Sequence, residues 1–198
     1  TYDTLLAAFG RATHHIHLEY YIFEPDKTGA RIRDALIEQA QRGIRVRLLL
    51  DRLGSKNADE AFLRPLREAG AEIEFFHPYF FKRLWRPEIN LRSHRKIVVI
   101  DGCTGFTGGI NITDDENEAI RDDAYVDLHF RISGEIVRWL QLAFVADWLY
   151  AGGRFAADDR YFPVPSETAG PVTAQVLAAG PDTPFEPIHR AQVFAINA

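Results

Sequence analysis

Three β-rich runs separated by two amphipathic windows constrain the fold of this chain more than any other feature. The runs are HIHLEYYIF at residues 15–23, IRVRLLLD at 44–51 and AEIEFF at 71–76, rich in the β-branched and aromatic residues that strands favour. Residues 30–42 carry Ile32, Ala35, Leu36, Gln39 and Ala40 along a helix, and Gly43 follows as its stop. Residues 58–69 form a second such window, closed by Gly70. Strand, helix and strand in this order predict parallel neighbours joined by a right-handed crossover. Tyr2, Leu5, Leu6 and Phe9 add a helical stripe ahead of the first run, and residues 135–150 form a strongly apolar helix carrying Ile136, Trp139, Leu140, Ala143, Phe144 and Trp148. The expected class is α/β, a mixed, mostly parallel sheet with helices on both faces. Glu19 stands out within the first run; it is either paired in the interior or aimed at a pocket.

The chemistry concentrates in residues 94–111, HRKIVVIDGCTGFTGGIN. Ile97 to Ile100 is a continuous β-branched run, Asp101-Gly102 is a turn dipeptide, and residues 103–107 read as the returning strand of a hairpin. Side chains two apart on a strand share a face, so His94 and Lys96 project together with Arg95 opposite. The second strand brings Gly108-Gly109 and Asn111 back to the same end. An imidazole that is neutral near pH 7 can attack phosphorus without a metal. Lys96 would offset charge on the nonbridging oxygens, and Asn111 with the glycine amides would add directional donors.

The spacing H-x-K-x-x-x-x-D followed by G-G-x-N resembles the HKD signature of the phospholipase D superfamily. NLRSHRKIVVIDG at residues 90–102 is similar to the bacterial cardiolipin synthase branch, and the likeness continues through LEYYIF, ALIEQAQRGIRVRLLLD and F-x-x-D-W-L at residues 144–149. AYVDLHFRI at residues 124–132 alternates as a strand and resembles the family's W-R-D-L-H-V-R-I segment, with Tyr125 and Val126 in place of the tryptophan and arginine. The resemblance implies a phospholipase D-like sandwich fold and a phosphohistidine intermediate. It makes His94 the nucleophile or its acid–base partner, puts Lys96, Gly109 and Asn111 on the phosphate, has Asp127 orient the imidazole, and completes the catalytic set with Asp101, read as a structural ion pair. His129, on the face of Asp127, reads as an ordinary strand residue. No cofactor and no metal are implied. In the family two such motifs meet at a pseudo-twofold interface, so the partners expected are a phospholipid substrate and a second motif-bearing half, supplied by further chain or by a homodimer mate.

A net charge of −5 argues against coating nucleic acid by bulk attraction. Basic residues nonetheless gather where YFFKRLWRPE occurs at residues 79–88. Phe80, Phe81 and Trp85 among Lys and Arg suit peripheral contact with a membrane interface; stacking on single-stranded nucleic acid and simple capping of the core remain open. The acidic stretch 114–123 lacks the alternation of a calcium loop and reads as a solvated surface loop. Cys103 is the only cysteine, which excludes an internal disulfide. The chain has no methionine and is expected to be a piece of something longer, a soluble piece of a protein held at the cytoplasmic side of a bacterial membrane. Residues 1–152 are expected to form the phospholipase D-like domain, 153–171 a linker, and 172–198 a short strand and helix that begin a second, truncated unit. The expected activity is phosphatidyl transfer between phosphatidylglycerols. The alternatives are a single-motif homodimeric phosphodiesterase or nuclease, and a noncatalytic domain that binds phospholipid head groups.

Overall fold

The computed structural model describes residues 1–76, 93–164, 170–179 and 187–197. In chain order the elements are α1 (Tyr2–Phe9), β1 (His15–Tyr20), α2 (Lys27–Gln41), β2 (Arg45–Asp51), α3 (Glu60–Glu68), β3 (Glu72–Phe76), β4 (Ile97–Ile100), β5 (Thr104–Gly108), β6 (His129–Ser133), α4 (Val137–Tyr150) and α5 (Pro187–Asn197). Asp26 and Asp59 start α2 and α3 by accepting bonds from the amides of Gly29 and Phe62, the usual satisfaction of orphan helix donors.

The six strands form one sheet in the order β3-β2-β1-β4-β5-β6. β1, β2 and β3 pair in parallel, as their crossovers predict, whereas β4 is antiparallel to β1 and β5, and β6 is antiparallel to β5. Four of the six strands thus point one way, yet only two of the five neighbouring pairs are parallel. The tight turn between Ile100 and Thr104 forces the antiparallel pairing of β4 with β5, while β5 reaches β6 through the longer segment 109–128. Two expected strands differ. Residues 124–128 stay irregular ahead of β6, with the Tyr125 amide bonded to the Asp115 carbonyl instead of a ladder partner. Residues 170–179 have no regular structure; the Ala179 carbonyl accepts from Arg95 Nη2 at 3.2 Å.

Helices cover both faces, as expected. Leu5 and Phe9 of α1, Ile32 and Leu36 of α2, and Leu63 and Leu66 of α3 pack over Ile16, Leu18, Val46, Leu48, Val98 and Ile100. On the other face Val137, Leu140, Phe144 and Trp148 of α4 cover Leu49, Ile97 and Val99.

β1 departs from the apolar pattern of a strand buried on both faces. Its α4-facing residues are His15, His17 and Glu19, all 0–1% exposed. His17 stacks on Phe144 with ring centroids 4.7 Å apart, and its Nδ1 lies 2.8 Å from the Gln141 amide nitrogen. Arg47, next door on β2, donates from Nε to Glu72 at 3.0 Å and from Nη1 to the Tyr161 hydroxyl at 3.2 Å. Burial first, then the neighbouring His14, pushes His15 down to about 3; burial, then His15 and Arg47, holds His17 well below its ordinary value.

These depressed values predict acid sensitivity. Below pH ~6.5 the unfolded chain protonates both imidazoles before the folded chain does, so stability present above pH ~6.5 is lost as pH falls toward 3, at about 1.4 kcal/mol per pH unit for each histidine. Glu19 acts oppositely, because burial and then Asp147 raise its value, and it is therefore removed by difference. The urea midpoint should fall from pH 7 to pH 5 less steeply in His15→Gln than in the parent. Parallel pH profiles would contradict this account.

Candidate active site

His94 and Lys96 precede β4 and share the parity of Val98 and Ile100, on the face that carries α1 to α3. His94 is exposed, and its imidazole stacks on the Tyr21 ring at 3.9 Å between centroids and 19° between planes. Lys96 is 8% exposed; its Nζ donates to the His94 carbonyl at 2.9 Å and sits 5.4 Å from the centroid of the same Tyr21 ring. Burial lowers the Lys96 value, against the pull of Glu116 and Asp127, which favour its charge.

The β4–β5 hairpin delivers the rest of the motif as the spacing predicts. Asp101 and Gly102 take φ of 52° and 67°, and the Cys103 amide returns to Ile100 at 3.0 Å, a type I′ geometry. At the other end of β5, Asn111 is held on four sides. Its Oδ1 accepts from the Ile22 amide at 3.1 Å, its Nδ2 and amide donate to Glu116 at 2.8 and 2.6 Å, and its carbonyl accepts from the Tyr2 hydroxyl at 2.6 Å.

Asp127 lies directly over Gly109, where a Cβ would come within 2.0 Å of its carboxylate. The Gly109 amide bonds to the Leu128 carbonyl at 2.9 Å. It is thus engaged in tying residues 127–129 to the site instead of offering the phosphate donor that the sequence suggests. Glycine at 109 is needed for close approach.

His94, Lys96, Gly109, Asn111 and Asp127 therefore converge, drawn from the residues that enter β4, those that leave β5 and the segment before β6. Asp101 does not join them. It lies at the far end of β4, roughly 20 Å from His94 by the rise of an extended strand. Its carboxylate accepts from the amides of Thr13, His14 and His15 and from the Thr13 hydroxyl, all at 2.8–2.9 Å. The structural ion pair expected of it is replaced by a cap on the turn that enters β1. Phe80, Phe81 and Trp85 lie outside the described residues.

Sequence reasoning passed over three residues at the site. Glu116 belongs to the acidic loop read as solvated, yet the loop is docked: Asp114 accepts from the Thr28 amide and hydroxyl, and Asn117 donates to Thr28. The available signal was a glutamate five residues after Asn111 on the short 3₁₀ turn Asp114–Glu116. Tyr21 carried no local signal, since only the β1–β4 pairing brings it beside His94. His129 sits against Gly108, both ring nitrogens buried without a hydrogen-bond partner among the described residues, and burial lowers it to about 4. Its spacing two after Asp127 was the clue. Glu19, flagged from sequence, is paired in the interior behind the site, bonded to Ser93. Arg95, on that same rear face, pairs with Asp147 of α4.

A family model described as the cardiolipin synthase, phospholipase D-like domain matches residues 5–148. The chain belongs to that family. The cardiolipin synthase of Alkalihalophilus pseudofirmus is 44% identical over 191 residues, covering 94% of this chain and 37% of the relative. The major cardiolipin synthase ClsA of Bacillus subtilis is 36% identical over 200 residues, covering 99% of this chain and 41% of the relative. The chain thus spans little more than a third of the curated relatives' length. Among solved structures, NucT from Helicobacter pylori aligns with a TM-score of 0.56 at 19% identity, over 75% of this chain and 87% of that one. Phosphatidylserine synthase from Haemophilus influenzae aligns with a TM-score of 0.56 at 17% identity, over 75% and 34%. These likenesses show the phospholipase D-like fold that the motif implied.

Proposed function

We propose that this phospholipase D-like domain supplies one half of a phosphatidyl-transfer site of cardiolipin synthase type. The observation that carries the reading is the convergence of His94, Lys96, Asn111 and Asp127 at one end of the sheet, within a family whose curated relatives are cardiolipin synthases. A lone pair of one motif histidine's imidazole attacks phosphorus, forming an N–P bond as the P–O bond to glycerol breaks, and the histidine of the other half acts as general acid. The glycerol alkoxide takes its proton from that acid. The hydroxyl of a second phosphatidylglycerol then attacks, its proton passes to the same group acting as base, and the N–P bond breaks. His94 fills either the nucleophile's or the acid's place. Lys96 and Asn111 hold the nonbridging oxygens, and Asp127 orients imidazole.

The charge at the site supports a two-part arrangement. Among the described residues the cation here is Lys96, and the carboxylates of Glu116 and Asp127 act on it; a phosphodiester anion is poorly held by that described set alone. A second half would bring further positive charge. Tyr125, Val126, Leu128 and Phe130, 54–83% exposed, flank Asp127 along the β6 edge, an apolar margin suited to a covering partner. We further assign residues 153–171 as a linker and 172–198 as the start of a following unit. α5 supports this, because Phe194 and Ile196 are 77% and 84% exposed and no residue of the helix is buried. Among the described residues no helix is long and apolar enough to cross a membrane.

The test is a dilution series of the chain with vesicles of phosphatidylglycerol, following release of glycerol and formation of cardiolipin. A specific rate that rises with protein concentration would show two copies building one site. No transfer by the chain alone, restored on adding a second motif-bearing half, would show the two-half form. Vesicle binding without turnover in either case would sink the enzymatic reading in favour of a head-group-binding domain.

A further inference from the structure

We infer that Tyr21 is a positioning residue for the reaction, an aromatic platform that fixes the plane of the His94 imidazole and carries its charged form. The inference rests on the proposed function for its chemistry but on independent geometry for its placement. Tyr21 follows the last residue of β1, and the β1–β4 pairing, Glu19 opposite Ile97, sets it beside the residues that enter β4. The imidazole lies 3.9 Å from the tyrosine ring and 19° from parallel. In that stack both ring nitrogens keep their in-plane lone pairs or protons directed away from Tyr21, edge-on to an incoming group. Rotation about the side-chain bonds of His94 would break the stack. The ring therefore selects the orientation in which attack or proton transfer proceeds.

Tyr21 is itself gripped from behind. A Cβ at Gly54 would meet two Tyr21 ring carbons at 2.9 Å and the Tyr21 carbonyl at 2.2 Å, so the 51–55 turn lies flat against the residue. That turn is built for the purpose. Asp51 accepts from the amides of Leu53 and Gly54 at 2.9 and 2.8 Å, and the Ser55 hydroxyl donates to the Tyr21 carbonyl while accepting from the Phe23 amide, both at 3.0 Å. The ring thus contacts both glycine backbone and imidazole. Its π face carries partial negative charge, and the Lys96 ammonium also stands over the ring, 5.4 Å from its centroid. When His94 gains positive charge, as imidazolium or as the phosphorylated ring, that face stabilises it beside Lys96.

Steady-state hydrolysis of a chromogenic phosphodiester by Tyr21→Leu and Tyr21→Phe, with thermal unfolding as a folding control, tests this. Leucine is expected to lower kcat about ten-fold with KM nearly unchanged, and phenylalanine, which keeps the face, to restore the parent rate. A parental kcat in the leucine variant, or a phenylalanine variant as slow as leucine, would overturn the inference. If the parent shows no His94-dependent hydrolysis even with a second motif-bearing half added, the proposed function is at fault. The platform is then read by NMR. His94 ring-proton resonances should be shifted upfield in the parent and in Tyr21→Phe and should move downfield in Tyr21→Leu, and resonances identical in all three would overturn it.

Discussion

Replacing His94 by asparagine is expected to reduce phosphodiester turnover by about a thousand-fold or more while leaving the fold intact. Asparagine keeps a polar side chain of moderate size but has no nitrogen that is both nucleophilic and titratable near neutrality. His94 is exposed, and substitution at an exposed position should cost no more than about 0.5 kcal/mol of stability. The measurement is kcat for a chromogenic phosphodiester beside a urea unfolding curve. Turnover above a tenth of the parent's in a folded His94→Asn protein would remove His94 from the chemistry and with it the phosphohistidine route. Loss of turnover together with loss of folding would be uninformative, which is why the exposed position matters: it makes that confusion avoidable.

Asp101→Ala is expected to behave in the opposite way, costing about 3 kcal/mol of stability and leaving kcat of the folded protein within about two-fold. The carboxylate satisfies three consecutive amides and one hydroxyl where α1 turns into β1, and alanine would leave them without that acceptor while occupying φ 52°, a conformation alanine disfavours. Burial works to raise the Asp101 value, but the bonds from His15, Thr13 and His14 outweigh it and hold the group below its ordinary range. A depressed carboxylate stabilises the fold above its unfolded value near 4, and that contribution disappears as pH falls through the folded value. The difference in urea midpoint between parent and variant should therefore shrink below pH ~4. A large fall in kcat with parental stability would return Asp101 to the catalytic set.

The contrast between these two residues shows how far sequence spacing reaches. Spacing along one strand is governed by the period of two, so His94 and Lys96 on one side and Arg95 on the other could be read directly, and Arg95 indeed faces α4. The turn at Asp101-Gly102 could be read because few residue pairs tolerate two positive φ angles. The same strand, however, places Asp101 at its opposite end, and a linear motif does not say which of its members share a site. Asp127 could be matched only through the family segment; its approach to Gly109 depends on β6 pairing with β5.

Glu116 and Tyr21 mark the limit more sharply. An acidic run looks solvated because Asp and Glu are mostly exposed, and nothing local shows that Asp114 is docked on the start of α2 while Glu116 grips Asn111. Tyr21 is one aromatic in LEYYIF, where Tyr20 points into the core and Tyr21 to the site. Strict alternation would place Tyr21 with Glu19 on the α4 face, but it lies at a bend just past β1 and meets His94 instead.

What the sequence determined by itself was local and periodic: the strands and helices of the α/β pattern, the hairpin, the shared side of His94 and Lys96, and the family. Tertiary structure alone decided the partners. Pairing β1 with β4 as antiparallel neighbours put Tyr21 against His94, the β5–β6 ladder carried Asp127 to Gly109, and α4 enclosed the polar face of β1. Those choices depend on free energies of contact between residues far apart in the chain, where burial, charge and close approach are collective and no short spacing records them.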